Sequence, residues 1–296
     1  MRERVMTCCA AIFGLMAGVF ALPAPAAQDA HVPDLSGMWG RNIFNFGEPE
    51  SGQGPVAGLK RLPNGATDPA NPVGDYLNPI LKPEAARIVR ERGEVVLSGK
   101  TFPSPSTECA LYPVPYALSM LLQLEILQKA DEVLVLSMQD QSVRRIRLNE
   151  AHQRPPVPSW RGDSVGHYEG DTLVVDTVGF KVGPLSMVDR YGTPHSDKLH
   201  LIERFRLIDA RAARLAVQRD ERVNVRGRAV DVDQGYGKGI KVDFTVEDTD
   251  VFTRPWSASV TYQRVKNEWQ EYVCAENIHV YYDKDTAVPQ TDRSDF

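Results

Sequence analysis

The stretch Val165-Gly166-His167-Tyr168-Glu169-Gly170-Asp171-Thr172-Leu173-Val174-Val175-Asp176-Thr177-Val178 decides how this chain is read. Two β-prone runs, Val165 to Glu169 and Thr172 to Val178, flank Gly170-Asp171, and a two-residue glycine-containing loop between such runs predicts a β-hairpin. The pattern repeats to either side. Glu125 to Gln128 and Val133 to Met138 flank a turn at Lys129 to Glu132, and Val143 to Leu148 follows. Leu199 to Ile208 pairs in prospect with Arg214 to Arg219, and Lys241 to Val246, Trp256 to Tyr262 and Gln270 to Cys274 complete the series. About ten strands at short spacing predict an all-β fold, an antiparallel meander closing into a lipocalin- or calycin-like barrel. An immunoglobulin-like sandwich or a propeller fragment are the alternatives, and no internal repeat supports a propeller. Helix signals are few. Pro83 near the start and Gly93 at the end mark Lys82 to Gly93 as a helix, and a second short one is expected at Tyr116 to Leu122.

Upstream the character changes. Arg2 and Arg4 precede an apolar run from Val5 to Leu22 and a small-residue site at Ala24-Pro25-Ala26, the pattern of a cleavable signal peptide over residues 1–26. The run is short for a membrane span and prolines follow it, so no stable membrane anchor is expected. Residues 27–80 are rich in Gly, Pro and Asn and read as an irregular extension wrapping the barrel domain at 81–296, with Leu35 to Gly40 its one strand. Of the four cysteines, Cys8 and Cys9 leave with the signal. Cys109 and Cys274 remain, and in an oxidising compartment two cysteines are expected to pair. Periplasmic or secreted residence follows as the expectation. Removing Arg2, Glu3 and Arg4 takes the formal charge from −5 to −6, which argues against general nucleic-acid binding. The arginines from Arg219 to Arg228 are broken by Asp220 and Glu221 and read as a solvated face.

Strand alternation singles out candidate chemistry, because a charge on the apolar face of a strand is anomalous. Glu203 shares a face with Leu199, Leu201, Phe205 and Leu207; Asp176 with Val174 and Val178; Arg144 with Ile146 and Leu148. An unpaired buried charge is costly, so Glu203 and Asp176 should find a partner, and Arg144 is a natural one. This is either an ion pair that fixes register or a polar patch in a cavity suited to acid–base work. His195 and His200 lie close to Glu203 in sequence, but the spacing is not that of a zinc site and no metal is expected. His195 is read as a rim acid–base residue, with His152 and His167 weaker candidates. Asp163 reads as a turn former or rim carboxylate, and Tyr168, Trp256 and Tyr272 as aromatic walls for a ligand. There is no nucleophile elbow at Ser164, no Walker loop and no Rossmann fingerprint, and Gly235 to Gly239 reads as a mobile loop, so no organic cofactor is expected.

Three segments carry a resemblance. Pro33-Asp34-Leu35-Ser36-Gly37-Met38-Trp39, Gly162 to Phe180 and Glu271-Tyr272-Val273-Cys274-Ala275-Glu276-Asn277 are similar to the motifs of a large family of secreted bacterial proteins, as are Pro194-His195-Ser196, Leu199-His200 and Glu203-Arg204. The chain departs from that pattern at Tyr168, where a Trp is usual, and in a longer stretch from Gln218 to Lys241. The resemblance implies export and one unified domain and brings no reaction with it.

The expectation is therefore an exported, cofactor-independent acid–base enzyme (a lyase, isomerase or hydrolase) acting on a small, apolar or aromatic molecule in a barrel cavity. Asp176, Glu203, His195 and His200 would carry protons, and Arg144 would orient charge. The alternative is a periplasmic small-molecule binding or carrier protein of the same architecture, with an aromatic pocket and at most one charged group. Oligomeric state is not legible.

Overall fold

A computed structural model describes residues 32–274, except 70, 122, 228–230, 233–236, 267–268 and 270. The signal segment with Cys8 and Cys9, Gly235 and Tyr236, Gln270, and the motif residues beyond Cys274 lie outside the described residues. The all-β barrel is present. Nine strands close on themselves: β1 (Gly37–Gly40), β2 (Gln123–Gln128), β3 (Glu132–Ser137), β4 (Ser142–Leu148), β5 (Asp163–Glu169), β6 (Thr172–Val178), β7 (His200–Ile208), β8 (Gly239–Glu247) and β9 (Trp256–Arg264). Closure is made by β1 against β9, with Trp39 opposite Arg264 and Gly40 opposite Gln263. The Arg264 guanidinium stacks 3.9 Å above the Trp39 ring, and a Cβ on Gly37, whose φ is +110°, would overlap it.

Every neighbouring pair is antiparallel but one. β4 and β5 run parallel, Ile146 opposite Ser164, so the meander is interrupted there and the barrel is mixed. Residues 149–162 make the return, long enough for the dozen or so residues a parallel connection requires. The β5–β6 hairpin forms as read, Glu169 opposite Thr172, with Gly170 at φ +60° supplying the left-handed position its turn needs.

Alternation places Trp39, Ile126, Val133, Ile146, Leu173, Val175, Leu201, Val242, Val246 and Val260 inward, each fully or almost fully buried. Before β2, α1 (Pro83–Leu97) lays Ala85, Val89 and Gly93 on the body. It runs past Gly93, which does not cap it. A Cβ there would meet Val73 Cγ1 at 2.7 Å, so this glycine serves close packing within the helix. Tyr116–Ser119 is one 3-10 turn, shorter than the helix expected. Two strand readings are corrected. Arg214 to Arg219 belongs to a helix, α2 (Ala210–Asp220), which Asp209 caps by accepting the Ala212 amide at 2.8 Å. Glu271 to Cys274 forms no strand. Cys109 and Cys274 are joined in a disulfide across a separation of 165 residues. No helix of the described residues is long and apolar enough to cross a membrane.

Candidate functional site: an acid–histidine array on the outer face

The polar residues singled out by alternation separate onto two faces of the sheet. Arg144 and Glu203 meet inside the barrel. Arg144 Nη1 and Nη2 donate to Glu203 Oε1 and Oε2 at 3.0 and 2.5 Å, Nη2 also reaches Thr177 Oγ1 at 2.8 Å, and Nε reaches Ser164 Oγ at 3.1 Å. Glu203 is completely buried and Arg144 nearly so. Every charged atom of the pair is matched, which is what a buried ion pair requires in order to persist. This arrangement is closed to solvent and built as a structural tie between β4 and β7.

Asp176 does not join it. It lies on the outer face of β6 with Val174 and Val178, while Leu173, Val175 and Thr177 point inward. The expectation that it sits within a buried apolar face is thus corrected, since its side chain is 40% exposed. Asp176 Oδ1 instead faces two imidazoles, His152 Nε2 at 3.1 Å and His200 Nε2 at 3.0 Å. His152 rides on the parallel connection, and its other nitrogen, Nδ1, lies 3.0 Å from Asp163 Oδ2. Asp163, at the first position of β5, is anchored by Arg147 Nη1 at 2.6 Å and by the Gln153 amide at 2.9 Å. Burial alone would raise its carboxyl pKa; the bonds from Arg147, the Gln153 amide and His152 outweigh that and hold it below the ordinary carboxylate range. Asp163 is therefore an ionised, buried anchor rather than a rim carboxylate. On β7, His200 Nδ1 lies 3.7 Å from Glu247 Oε2 of β8.

The result is a line of alternating acids and imidazoles, Asp163, His152, Asp176, His200 and Glu247, running from buried to exposed. Its inner end has the base-and-orienter arrangement of hydrolytic triads, in which a buried carboxylate fixes one ring nitrogen and leaves the other to work. The His152 ring thus meets a carboxylate at each nitrogen, Asp163 at Nδ1 and Asp176 at Nε2, and His200 Nε2 reaches the same Asp176 oxygen.

A groove lies one residue away from it, with Ile202 between, and none of the array's own side chains is in its lining. Ile202, the cross-strand neighbour of Asp176, lines a cleft of about 210 Å³ together with Arg204, Asp243, Thr245 and Ser257 under the loop Pro49-Glu50-Ser51. Its floor is the outer face of β7 to β9, and the Thr245 and Ser257 hydroxyls meet at 2.9 Å.

The remaining candidates lie apart from the array. His195 is buried, not at a solvated rim. Its Nδ1 is 3.0 Å from the Ser196 carbonyl, its ring sits edge-on to Phe180, and burial pushes its imidazole pKa down. Trp256 is a core residue packed against Phe46, Phe244 and Phe252. Tyr168 receives a hydrogen bond from Gln128 Nε2 at 2.7 Å at the barrel's end. Tyr272 lines a cleft beside the disulfide with Tyr112 and Gln139. His152 was the residue sequence reasoning undervalued; its position after β4 says nothing about its destination until the parallel return is known. Among the described residues no group of three or more His, Cys, Asp or Glu side chains is arranged to hold a metal ion.

No family model, no curated protein and no solved structure matches this chain.

Proposed function

We propose that the protein is an acid–base enzyme whose centre is the His152–Asp176–His200 array, acting on a small polar hydroxy-carbonyl compound held in the neighbouring groove. The observation that carries this is the anchored imidazole: Asp163 holds His152 Nδ1, and Nε2 is left facing a half-exposed carboxylate. In the reaction Asp176 takes a proton from the carbon next to a carbonyl. The electrons of that C–H bond form the enediol double bond, and an imidazole Nε2–H delivers a proton to the carbonyl oxygen. Protonation of the other enediol carbon by the Asp176 carboxylic acid, with the O–H proton on the first carbon passing to the imidazole, gives isomerisation; expulsion of a neighbouring hydroxyl by the enediol electrons, protonated by an imidazole Nε2–H so that it leaves as water, gives elimination. The substrate class is polar, unlike the apolar one expected from sequence, because Arg204, Asp243, Glu50 and the hydroxyls of Thr245 and Ser257 surround the groove. Export, expected from the N-terminal segment, is supported by the Cys109–Cys274 bridge.

Deuterium incorporation into dihydroxyacetone in D2O, followed by proton NMR, tests the reading. The wild-type protein is expected to accelerate exchange above the buffer blank, and His152→Gln and Asp176→Asn to lower that acceleration by about a hundredfold, the range for losing a general acid or base. A wild-type rate equal to the blank, or variants that match wild type, would refute it.

A further inference from the structure

A second cleft, of about 300 Å³, shares only Pro49 with the groove and is built from the glycine-rich loop 52–58 and the segment around Asp189. Two side chains of its lining each carry an oxygen with no hydrogen-bond partner, Oδ2 of Asp189 and Oδ1 of Asn45. Both residues are buried, Asp189 at 2% exposure and Asn45 at 9%. Their other polar atoms are committed. Asp189 Oδ1 accepts the Tyr191 and Thr193 amides at 2.9 and 3.0 Å, and Asn45 Nδ2 donates to the Tyr191 hydroxyl at 3.1 Å. The Thr193 side chain is near enough to draw the Asp189 pKa down, but its hydroxyl makes no hydrogen bond. Arg92 also pulls on Asp189 through space while giving its own Nη1 to the Gly192 carbonyl. Burial outweighs both and holds the carboxyl above its ordinary range. The charged side chains of the lining are Asp189, Glu48 and Arg61, two acids against one base. Arg61 is exposed and gives Nη1 to the Gly65 and Val223 carbonyls at 3.2 and 3.4 Å.

We propose that this cleft binds a small primary amine as its ammonium ion, with N–H groups given to Asp189 Oδ2 and Asn45 Oδ1 and a short alkyl chain against Phe46, Val56 and Val223. Both orphan atoms are acceptors, so the occupant has to donate, and an ammonium offers three donors and no acceptor. The positive charge is selected by the carboxylate, since a buried acid is stable in its ionised form when a hydrogen-bonded cation meets it. Glu48 adds a second negative charge to the same lining. The chain is short because the volume lies at the small end of ligand pockets.

The probes are n-butylammonium, 1-butanol, which keeps the chain without the charge, and tetramethylammonium, which keeps the charge without an N–H. Each is titrated against the full chain by ligand-observed NMR. Saturable butylammonium binding is expected, with the other two weaker by about tenfold or more, and with butylammonium weakened about tenfold in Asp189→Asn. The asparagine keeps the Oδ1 acceptor for both amides and puts a donor in place of the unpartnered oxygen. Glu48→Lys, at an exposed position, is expected to weaken butylammonium about threefold by adding a base to the lining, and it decides the matter if Asp189→Asn fails to fold. The proposal is overturned if butylammonium shows no saturable binding, if 1-butanol or tetramethylammonium binds as tightly, or if folded Asp189→Asn (failing that, Glu48→Lys) binds butylammonium as wild type does.

Discussion

At the scale of single residues, burial separates two acids that the sequence presents alike. Glu203 and Asp176 each interrupt an apolar alternation, yet one is sealed against Arg144 and the other half exposed between imidazoles. Alternation names the neighbours of Asp176 correctly but cannot choose the face, because Leu173, Val174 and Val175 are all buried and β6 is apolar on both sides. The interior pair makes a sharp prediction. Glu203→Gln leaves the Arg144 charge uncompensated and is expected to cost about 3–5 kcal/mol in urea unfolding, whereas Arg144→Met with Glu203→Leu is expected to be neutral or better. Asp220 offers a pH-dependent counterpart. It is buried at the C-terminal end of α2, and burial raises its carboxyl pKa to about 6 against the coulombic pull of Arg41 and Arg219. A raised acid favours its neutral form when folded, so it weakens the fold as pH climbs through that value and has no effect once both states are protonated. Asp220→Asn is therefore expected to stabilise by about 3 kcal/mol at pH 8 and by nothing measurable near pH 3. Equal gains at both would exclude ionisation as the cause.

At the scale of elements, hairpins were the most legible feature and connections the least. The Gly170-Asp171 turn specifies its own register, because a two-residue loop with a left-handed glycine leaves the strands one way to meet. The step from β4 to β5 has no such signal: a parallel pair is joined by a long segment whose sequence does not encode its landing point. His152 rides on that segment, which is why the array it completes was invisible. The α2 misreading has a different origin. Apolar and charged residues from Arg214 to Arg219 fit either period over so short a window, while the decisive signals, Asp209 as cap and the alanines after it, lie just upstream. Removing the cap by Asp209→Ala is expected to cost about 1 kcal/mol in chemical unfolding. Gly93 tests the packing of α1. Alanine for glycine inside a helix ordinarily stabilises by up to about 1 kcal/mol, but the approach to Val73 reverses the sign here, and Gly93→Ala is expected to lower the unfolding midpoint.

For the whole molecule, closure of the barrel removes every sheet edge and fills the interior with side chains, so the groove beside the array lies on the barrel's outside under the 49–51 loop. Its inward positions carry large apolar groups and the matched Arg144–Glu203 pair. The Cys109–Cys274 bridge ties the end of the described chain to the segment before β2, and Cys109→Ser with Cys274→Ser is expected to lose about 2–5 kcal/mol relative to the oxidised protein. The central claim is that proton chemistry belongs to the outer array and the interior pair only holds the wall. Deuterium exchange into dihydroxyacetone, measured side by side for two variants, tests this most directly. Arg144→Met with Glu203→Leu should exchange within about twofold of wild type, and Asp176→Asn should fall about a hundredfold while unfolding at the wild-type urea midpoint. Loss in the interior double variant with full activity in Asp176→Asn would contradict the account.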